Sequence, residues 1–386
     1  MVQAAFDTLS VDQLRTVVGK KWSTFPDCTG AFVAEMDFGT APSIKDALRA
    51  IVDEGFFGYL PDAMGKQLSA STARWYASEY DWAIPEEWIH PLPDVLTGLQ
   101  VVFEHYSRPE AKVIVNTPAY MPFLMLKKIW NREQIEVPML NTGERWEFDF
   151  DALEAAFAAN PGSIYIICNP FNPIGRVLEL DELNRISEIV DRFGGRVFSD
   201  EIHAPLTYGK KHIPYASTSE VVASHTITAV SASKAWNLAG LKCAEIILSN
   251  EADLEVWKSG AWFASHGASS FGVAANIAAF DSGRGWLNEV LEYLDGNRYL
   301  LRDLLNTHLP QAGYNVPEGT YLALIDFKAY NLPEKLAEHF RETAKVALTE
   351  GADCGEVAKG SVRFNFAMSR SNLEETIERL ARAINA

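Results

Sequence analysis

Residues 226–242 read Thr-Ile-Thr-Ala-Val-Ser-Ala-Ser-Lys-Ala-Trp-Asn-Leu-Ala-Gly-Leu-Lys. The first five are β-branched or apolar without alternation, as expected of a strand buried on both faces. The next four hold two hydroxyls and a lysine, Lys234. A buried strand ending in a polar loop fits an open α/β sheet, whose ligands lie beyond the carboxyl ends of its strands. An amine held there can form an imine with an aldehyde. The hydroxyls of Ser231 and Ser233, with Lys242, supply donors for a phosphate.

The same pattern recurs upstream and just downstream. Val113–Val115, Ser163–Cys168, Arg196–Ser199 and Ala244–Leu248 are further short apolar runs. Between two of them lies LDELNRISEIVDRFGG, with Leu183, Ile186, Ile189, Val190 and Phe193 at helical spacing and Gly194–Gly195 ending the pattern. Strand–helix–strand order predicts a mainly parallel sheet with helices on both faces. Polar or aromatic clusters follow the strands: NTPAYMPF with Tyr120, NPFNPIG (169–175) with Asn172, and Asp200-Glu-Ile-His203. Each alone has a plainer reading: a solvated lysine, a helix-capping aspartate, a turn, a packed aromatic. Taken together, in this order, they predict one crevice.

The last third differs. GWLNEVLEYLDGNRYLLRDLLNTHL (285–309) is a long helical pattern. PEGTYLALIDF and SVRFNFA read as strands, and SNLEETIERLARAINA as a closing helix. This α+β arrangement predicts a large unit over 46–284 and a smaller one built from 1–45 and 285–386. Tyr321 is expected to pack inside the smaller unit.

Composition narrows the partners. The 386 residues are 48% hydrophobic and 22% charged, an ordinary globular mix, with a net charge of −17. An acidic chain disfavours nucleic acid or an anionic membrane, although a small anion needs only a local positive pocket. No apolar stretch approaches the ~20 residues of a membrane span. The first residues lack a basic segment leading into an apolar run, so a cytoplasmic protein is expected. Cys28, Cys168, Cys243 and Cys354 are far apart and show no CxxC spacing, which predicts reduced thiols and no metal centre.

A tyrosine, then NPxNPxG, then a strand ending in Asp, then S-x-S-K resembles the fold-type-I pyridoxal 5′-phosphate (PLP) enzymes, the aspartate aminotransferase superfamily. The motifs here are Tyr120, NPFNPIG, Asp200 and SASK (231–234), and the resemblance covers nearly the whole chain. Within it, AEMDF (34–38), the GY of FFGYLPD, PAYMPF, SDEIHAP, SKAWNLAGLK and PEGTYLALIDF look like the MalY/PatB-type cystathionine β-lyase or C–S lyase branch. Aminotransferases usually carry Tyr three residues after the Asp, where this chain has His203. Many lyases of the branch carry an acidic residue where this chain has Pro205.

The resemblance implies a mainly parallel, seven-stranded mixed sheet and PLP as cofactor. It implies Lys234 as the Schiff-base lysine and general base, and Asp200 as partner of the pyridine nitrogen. Asn172 would bond the ring oxygen, Tyr120 stack on the ring and act as a catalytic residue whose hydroxyl assists proton movement, and His203 lie beneath or beside the ring, with a merely packed histidine equally open. Ser231, Ser233, Lys242 and the helix start at Val95 and Leu96 would hold the phosphate. Arg363 would bind the α-carboxylate of an amino-acid substrate, beside Asn172. Tyr59 would reach the phosphate and substrate of a neighbouring subunit, making the site that of a homodimer. The implied activity is β-elimination of cysteine S-conjugates, with an aminotransferase or a regulatory partner-binding protein as alternatives. Aromatics at Trp22, Phe38, Tyr59 and Phe123 are expected near the entrance.

Overall fold

A computed structural model describes residues 6–8, 10–17 and 19–385. The first five residues, on which the reading of the chain start leans, and Ala386, which ends the closing helix pattern, lie outside them. Seven strands form the larger sheet: β1 (Ile89–Leu92), β2 (Val113–Thr117), β3 (Gln134–Pro138), β4 (Ile164–Cys168), β5 (Arg196–Asp200), β6 (Thr226–Val230) and β7 (Ala244–Leu248). Their order is β1-β7-β6-β5-β4-β2-β3. All neighbours from β6 to β3 are parallel, and β7 runs antiparallel to both β6 and β1.

The continuous apolar runs are the central strands. β6 and β7 match their sequence limits, and β2, β4 and β5 differ by one or two residues. β1 and β3 had no sequence signal because they are edges. β1 is Ile-His-Pro-Leu, and β3 has intermediate and exposed positions, so neither shows a two-sided apolar run. Only β7 is reversed. Its amino end therefore sits at the sheet edge where the other strands have their carboxyl ends.

The helix Leu180–Arg192 crosses from β4 to β5 and stops at Gly194, whose φ of 62° is left-handed. The smaller sheet has four antiparallel strands, ordered Gly313–Tyr314, Leu322–Asp326, Ser361–Asn365, Thr349–Glu350. The long helix Arg284–His308 and the closing helix Arg370–Asn385 pack against each other. One apolar core joins the two sheets, running from Trp75, Trp236 and Phe280 through Tyr293 to Tyr321, Phe364 and Phe366. No helix among the described residues is long and apolar enough to cross a membrane.

The segment 29–40 is stitched to both units. Thr29–Gly30 pairs in parallel with Val346–Ala347, while Met36 N–H donates to Asn237 Oδ1 and Thr40 Oγ1 to the Trp236 carbonyl. The AEMDF string explains part of this. Asp37 is buried, accepts from Trp22 Nε1 at 2.8 Å, and lies 3.0 Å from Lys21 Nζ, which also donates to the Ala367 carbonyl. Burial pushes the Lys21 pKa down and the Asp37 pKa up, but the two charges offset each other. Breaking such a pair from one side leaves a buried charge uncompensated.

Asn365 fixes the middle of the segment. Its Nδ2 donates to the carbonyls of Val33 and Glu35, both at 2.7 Å, and its Oδ1 accepts from Ala367 N–H at 2.8 Å. Asn365→Ala should lose about 2–4 kcal/mol, since buried acceptors are left unpaired. Thermal unfolding should show a Tm lowered by several degrees, and an unchanged Tm contradicts the stitching role.

Candidate active site

A cavity of about 400 Å³ opens at the carboxyl edge of the larger sheet, where residues following β1, β2, β4, β5 and β6 meet those preceding β7. It brings together Val95, Leu96, Tyr120, Asn172, Asp200, His203, Ser231, Ser233, Lys234, Lys242 and Arg363. Tyr59 is not among them. It is 86% exposed, stacked on His266 at 5.7 Å, away from its own chain's cavity. The entrance expectation fails for three aromatics. Trp22, Phe38 and Phe123 are buried, because each has apolar or indole-bonding neighbours in the core. Phe32, Val33 and Met121 form the apolar wall instead.

Lys234 follows β6 directly. The loop is shaped by Ser231, whose hydroxyl donates to the Cys243 carbonyl at 2.7 Å and accepts from Ser233 N–H at 2.9 Å. Its one proton is therefore committed to the loop. Ser233 Oγ makes no hydrogen bond among the described residues and lines the cavity. Lys234 Nζ donates to the Ala34 carbonyl at 3.3 Å. Burial of the amine and the positive charge of Arg363 push its pKa down to about 8, against the opposing pull of Asp200 and Glu35.

Asp200 ends β5 and pairs in register with Cys168 and Ala229. Its Oδ1 accepts from Ile202 N–H at 3.1 Å, and the carboxyl group has no other hydrogen bond among the described residues. Burial pushes its pKa up to about 7, against that hydrogen bond and the Lys234 charge. A carboxyl group so placed awaits a cationic partner. Glu201, one residue on, faces away. It accepts from Ser199 Oγ and Tyr215 N–H and meets His212 Nε2 at 2.9 Å.

Arg363, from the smaller sheet, is buried at 4% exposure. Nη2 donates to the Phe32 carbonyl at 2.8 Å and to Thr349 Oγ1 at 3.3 Å. Nη1 reaches Asn172 Oδ1 at 3.3 Å and Met121 Sδ at 3.6 Å, and Nε has no partner. All these acceptors are neutral. No carboxylate lies within ion-pair distance of this guanidinium among the described residues. The sequence did not reveal Phe32, Ala34, Met121 and Thr349. Two of them act through backbone carbonyls, which every residue type carries.

Tyr120 is half-buried and edge-on to Phe123; burial, then the Asp200 charge, raises its pKa and keeps the phenol protonated. His203 is buried, edge-on to Tyr321 at 6.1 Å, with Nδ1 unpartnered. Burial, then the charges of Lys234 and Arg363, push its pKa well down, so it stays neutral. Tyr321 is packed as expected and also donates to the Ala34 carbonyl at 2.9 Å. The helix Val95–His105 starts at the cavity. Asp94 caps the Thr97 N–H at 2.9 Å, and the first-turn N–H groups of Val95 and Leu96 have no intrahelical acceptor. Lys242, at a left-handed φ of 54°, places Nζ 2.8 Å from Asp94 Oδ2.

The aminotransferase class I and II family model matches residues 29–380, and the chain belongs to that family. It is 37% identical to a cystathionine beta-lyase of Corynebacterium glutamicum, over 96% of this chain and 98% of that one. It is 32% identical to the cystathionine beta-lyase PatB of Bacillus subtilis, over 93% of each. Among solved structures, a candidate PLP-dependent beta-cystathionase of Corynebacterium diphtheriae superposes with a TM-score of 0.92, at 39% identity over 98% of both chains. The seven-stranded mixed sheet expected of the fold is present.

The shifted amine is directly measurable. Reductive labelling of Lys234 in the cofactor-free protein with a small aldehyde, read by peptide mass spectrometry, should have a midpoint near pH 8. Ordinary lysines label around pH ~10.4. Arg363→Gln removes a repelling charge and should raise the midpoint. A wild-type midpoint in the ordinary range contradicts the electrostatic account.

Proposed function

We propose that the protein is a PLP-dependent carbon–sulfur β-lyase. It converts L-cystathionine or related cysteine S-conjugates, with water, into a thiol (homocysteine), pyruvate and ammonia. The observation that carries this reading is one cavity holding a low-pKa lysine, a buried aspartate and a buried arginine without a counter-carboxylate. The likeness to proteins named cystathionine beta-lyase supports the substrate class.

The residues fit the cofactor. Lys234 can engage an aldehyde, and Asp200 offers a carboxyl group with an open valence for a pyridine nitrogen. Asn172 offers an amide, its Nδ2 making no hydrogen bond among the described residues. The N–H groups of Val95 and Leu96, Ser233 Oγ and the Lys242 ammonium would hold a phosphate, with Ser231 shaping the loop. When bound, PLP supplies an aldehyde for imine exchange and a conjugated ring that accepts the electron pair left at Cα.

Arg363 orients the substrate. Its neutral partners leave its charge free to pair with an α-carboxylate, and the guanidinium fork matches that group in two hydrogen bonds. Lys234, neutral above about pH 8, takes the proton from Cα. Asp200 is neutral or charged near pH 7 in the free cavity; a cationic ring nitrogen beside it favours the carboxylate and holds the proton on nitrogen. Tyr120 keeps its phenol proton and stays a donor. His203, neutral and buried, backs the cavity without competing for the proton.

The working unit is a homodimer. Phe57, Tyr59, Trp262 and Phe263 are 70%, 86%, 56% and 65% exposed, more aromatic surface in one region than a monomer usually leaves in water. Tyr59 would serve the partner's cavity rather than its own. The division into 46–284 and 1–45 with 285–386 places Lys234 and Arg363 on separate units that meet at the substrate. A cytoplasmic setting agrees with four unpaired, buried cysteines.

Incubation with PLP and L-cystathionine, without a 2-oxo acid, should give sustained pyruvate and free thiol. A requirement for a keto-acid acceptor would establish an aminotransferase instead. Arg363→Lys should lower kcat/KM for cystathionine by at least about tenfold, since a point charge does not replace the fork. Unchanged kinetics contradict the carboxylate assignment. Tyr59→Ala and Lys234→Ala chains, each weak or inactive alone, should regain activity when mixed and allowed to exchange. Failure to complement while dimers form contradicts the shared site.

A further inference from the structure

Lys20 lines the same cavity as Lys234 and Arg363 but, unlike them, is exposed to solvent. It makes no ion pair and no side-chain hydrogen bond among the described residues. The nearby carboxylate of Glu35 accepts from the Lys21 backbone N–H at 3.1 Å and makes no ion pair with Lys20.

The charges of the cavity can be assigned one by one. Lys242 is paired with Asp94 at the helix start. Lys234 and Asp200 serve the cofactor, and Arg363 serves the α-carboxylate at the floor. Lys20 is left as a cation with no assigned partner in a chain whose net charge is −17. Phe32, Val33 and Met121 line the same cavity, Phe32 and Met121 beside Arg363, and offer an apolar wall suited to a thioether and its methylenes. An amino acid held at its α-carboxylate by Arg363 would lay its thiol portion against that wall, in a cavity that Lys20 also lines.

We propose that Lys20 is a specificity-determining residue that binds an anionic group at the far end of the substrate's thiol portion. The assignment rests on the lyase reading above and deepens it. It names the preferred class as cysteine S-conjugates whose leaving thiol carries a carboxylate, as L-cystathionine does, over neutral S-alkyl cysteines. The contact sits at a solvated mouth, so it gives a preference rather than an absolute requirement.

The test compares kcat/KM for L-cystathionine and S-methyl-L-cysteine in the PLP-loaded enzyme and takes their ratio. Lys20→Ala should lower the ratio about 3–10-fold, Lys20→Glu should lower it further, and Lys20→Arg should hold it within about twofold. Added salt should lower the wild-type ratio and leave that of Lys20→Ala nearly flat, since exposed charges are screened. A ratio unchanged in both Lys20→Ala and Lys20→Glu overturns the assignment. Pyruvate from neither substrate with the wild type overturns the lyase reading itself, and the assignment with it.

Discussion

The repulsion between Lys234 and Arg363 organises the site. One cation is partly buried at the end of a central strand, and the other is buried in the smaller sheet. Burial and then the Arg363 charge lower the affinity of Lys234 for a proton, burial lowers that of Arg363, and Asp200 offsets only part of the cost at Lys234. Such a pair is unfavourable for the empty protein and favourable for an anionic ligand, because the ligand's charge completes it. The family's fold makes the arrangement possible by closing two sheets over one cavity.

The surrounding structure maintains that arrangement. The segment 29–40 passes between the sheets and gives one carbonyl, from Phe32, to Arg363 and another, from Ala34, to Lys234. Asn365 and the buried Lys21–Asp37 pair hold the segment from the far side. A cation that accepts neutral carbonyls as partners remains available to a carboxylate. The same interactions therefore fix the two side chains in place and leave their charge unspent.

Much of this was legible in the sequence, and the exceptions share physical causes. Strands buried on both faces announce themselves by unbroken apolar runs, and the residues after them by their polarity. That is how Tyr120, Asn172, Asp200 and Lys234 could be placed at one edge. Edge strands such as Ile89–Leu92 carry no such signature. Backbone acceptors such as Phe32 and Ala34 carry none either, since the carbonyl is common to all residues. Trp22, Phe38 and Phe123 show the reverse error, in which an aromatic near a motif lies in the core. Ser231 belongs to the motif, but its proton is spent on Cys243, so motif membership did not specify what its hydroxyl does.

The central claim is that Lys234, in this cavity, engages the aldehyde of PLP. Reduction of the PLP-loaded protein with borohydride, followed by peptide mapping, tests it most directly. The account predicts a stoichiometric pyridoxyl-phosphate mass on the peptide containing Lys234 and on no other. A modified peptide lacking Lys234, or PLP released unreduced from the intact wild-type protein, would contradict it.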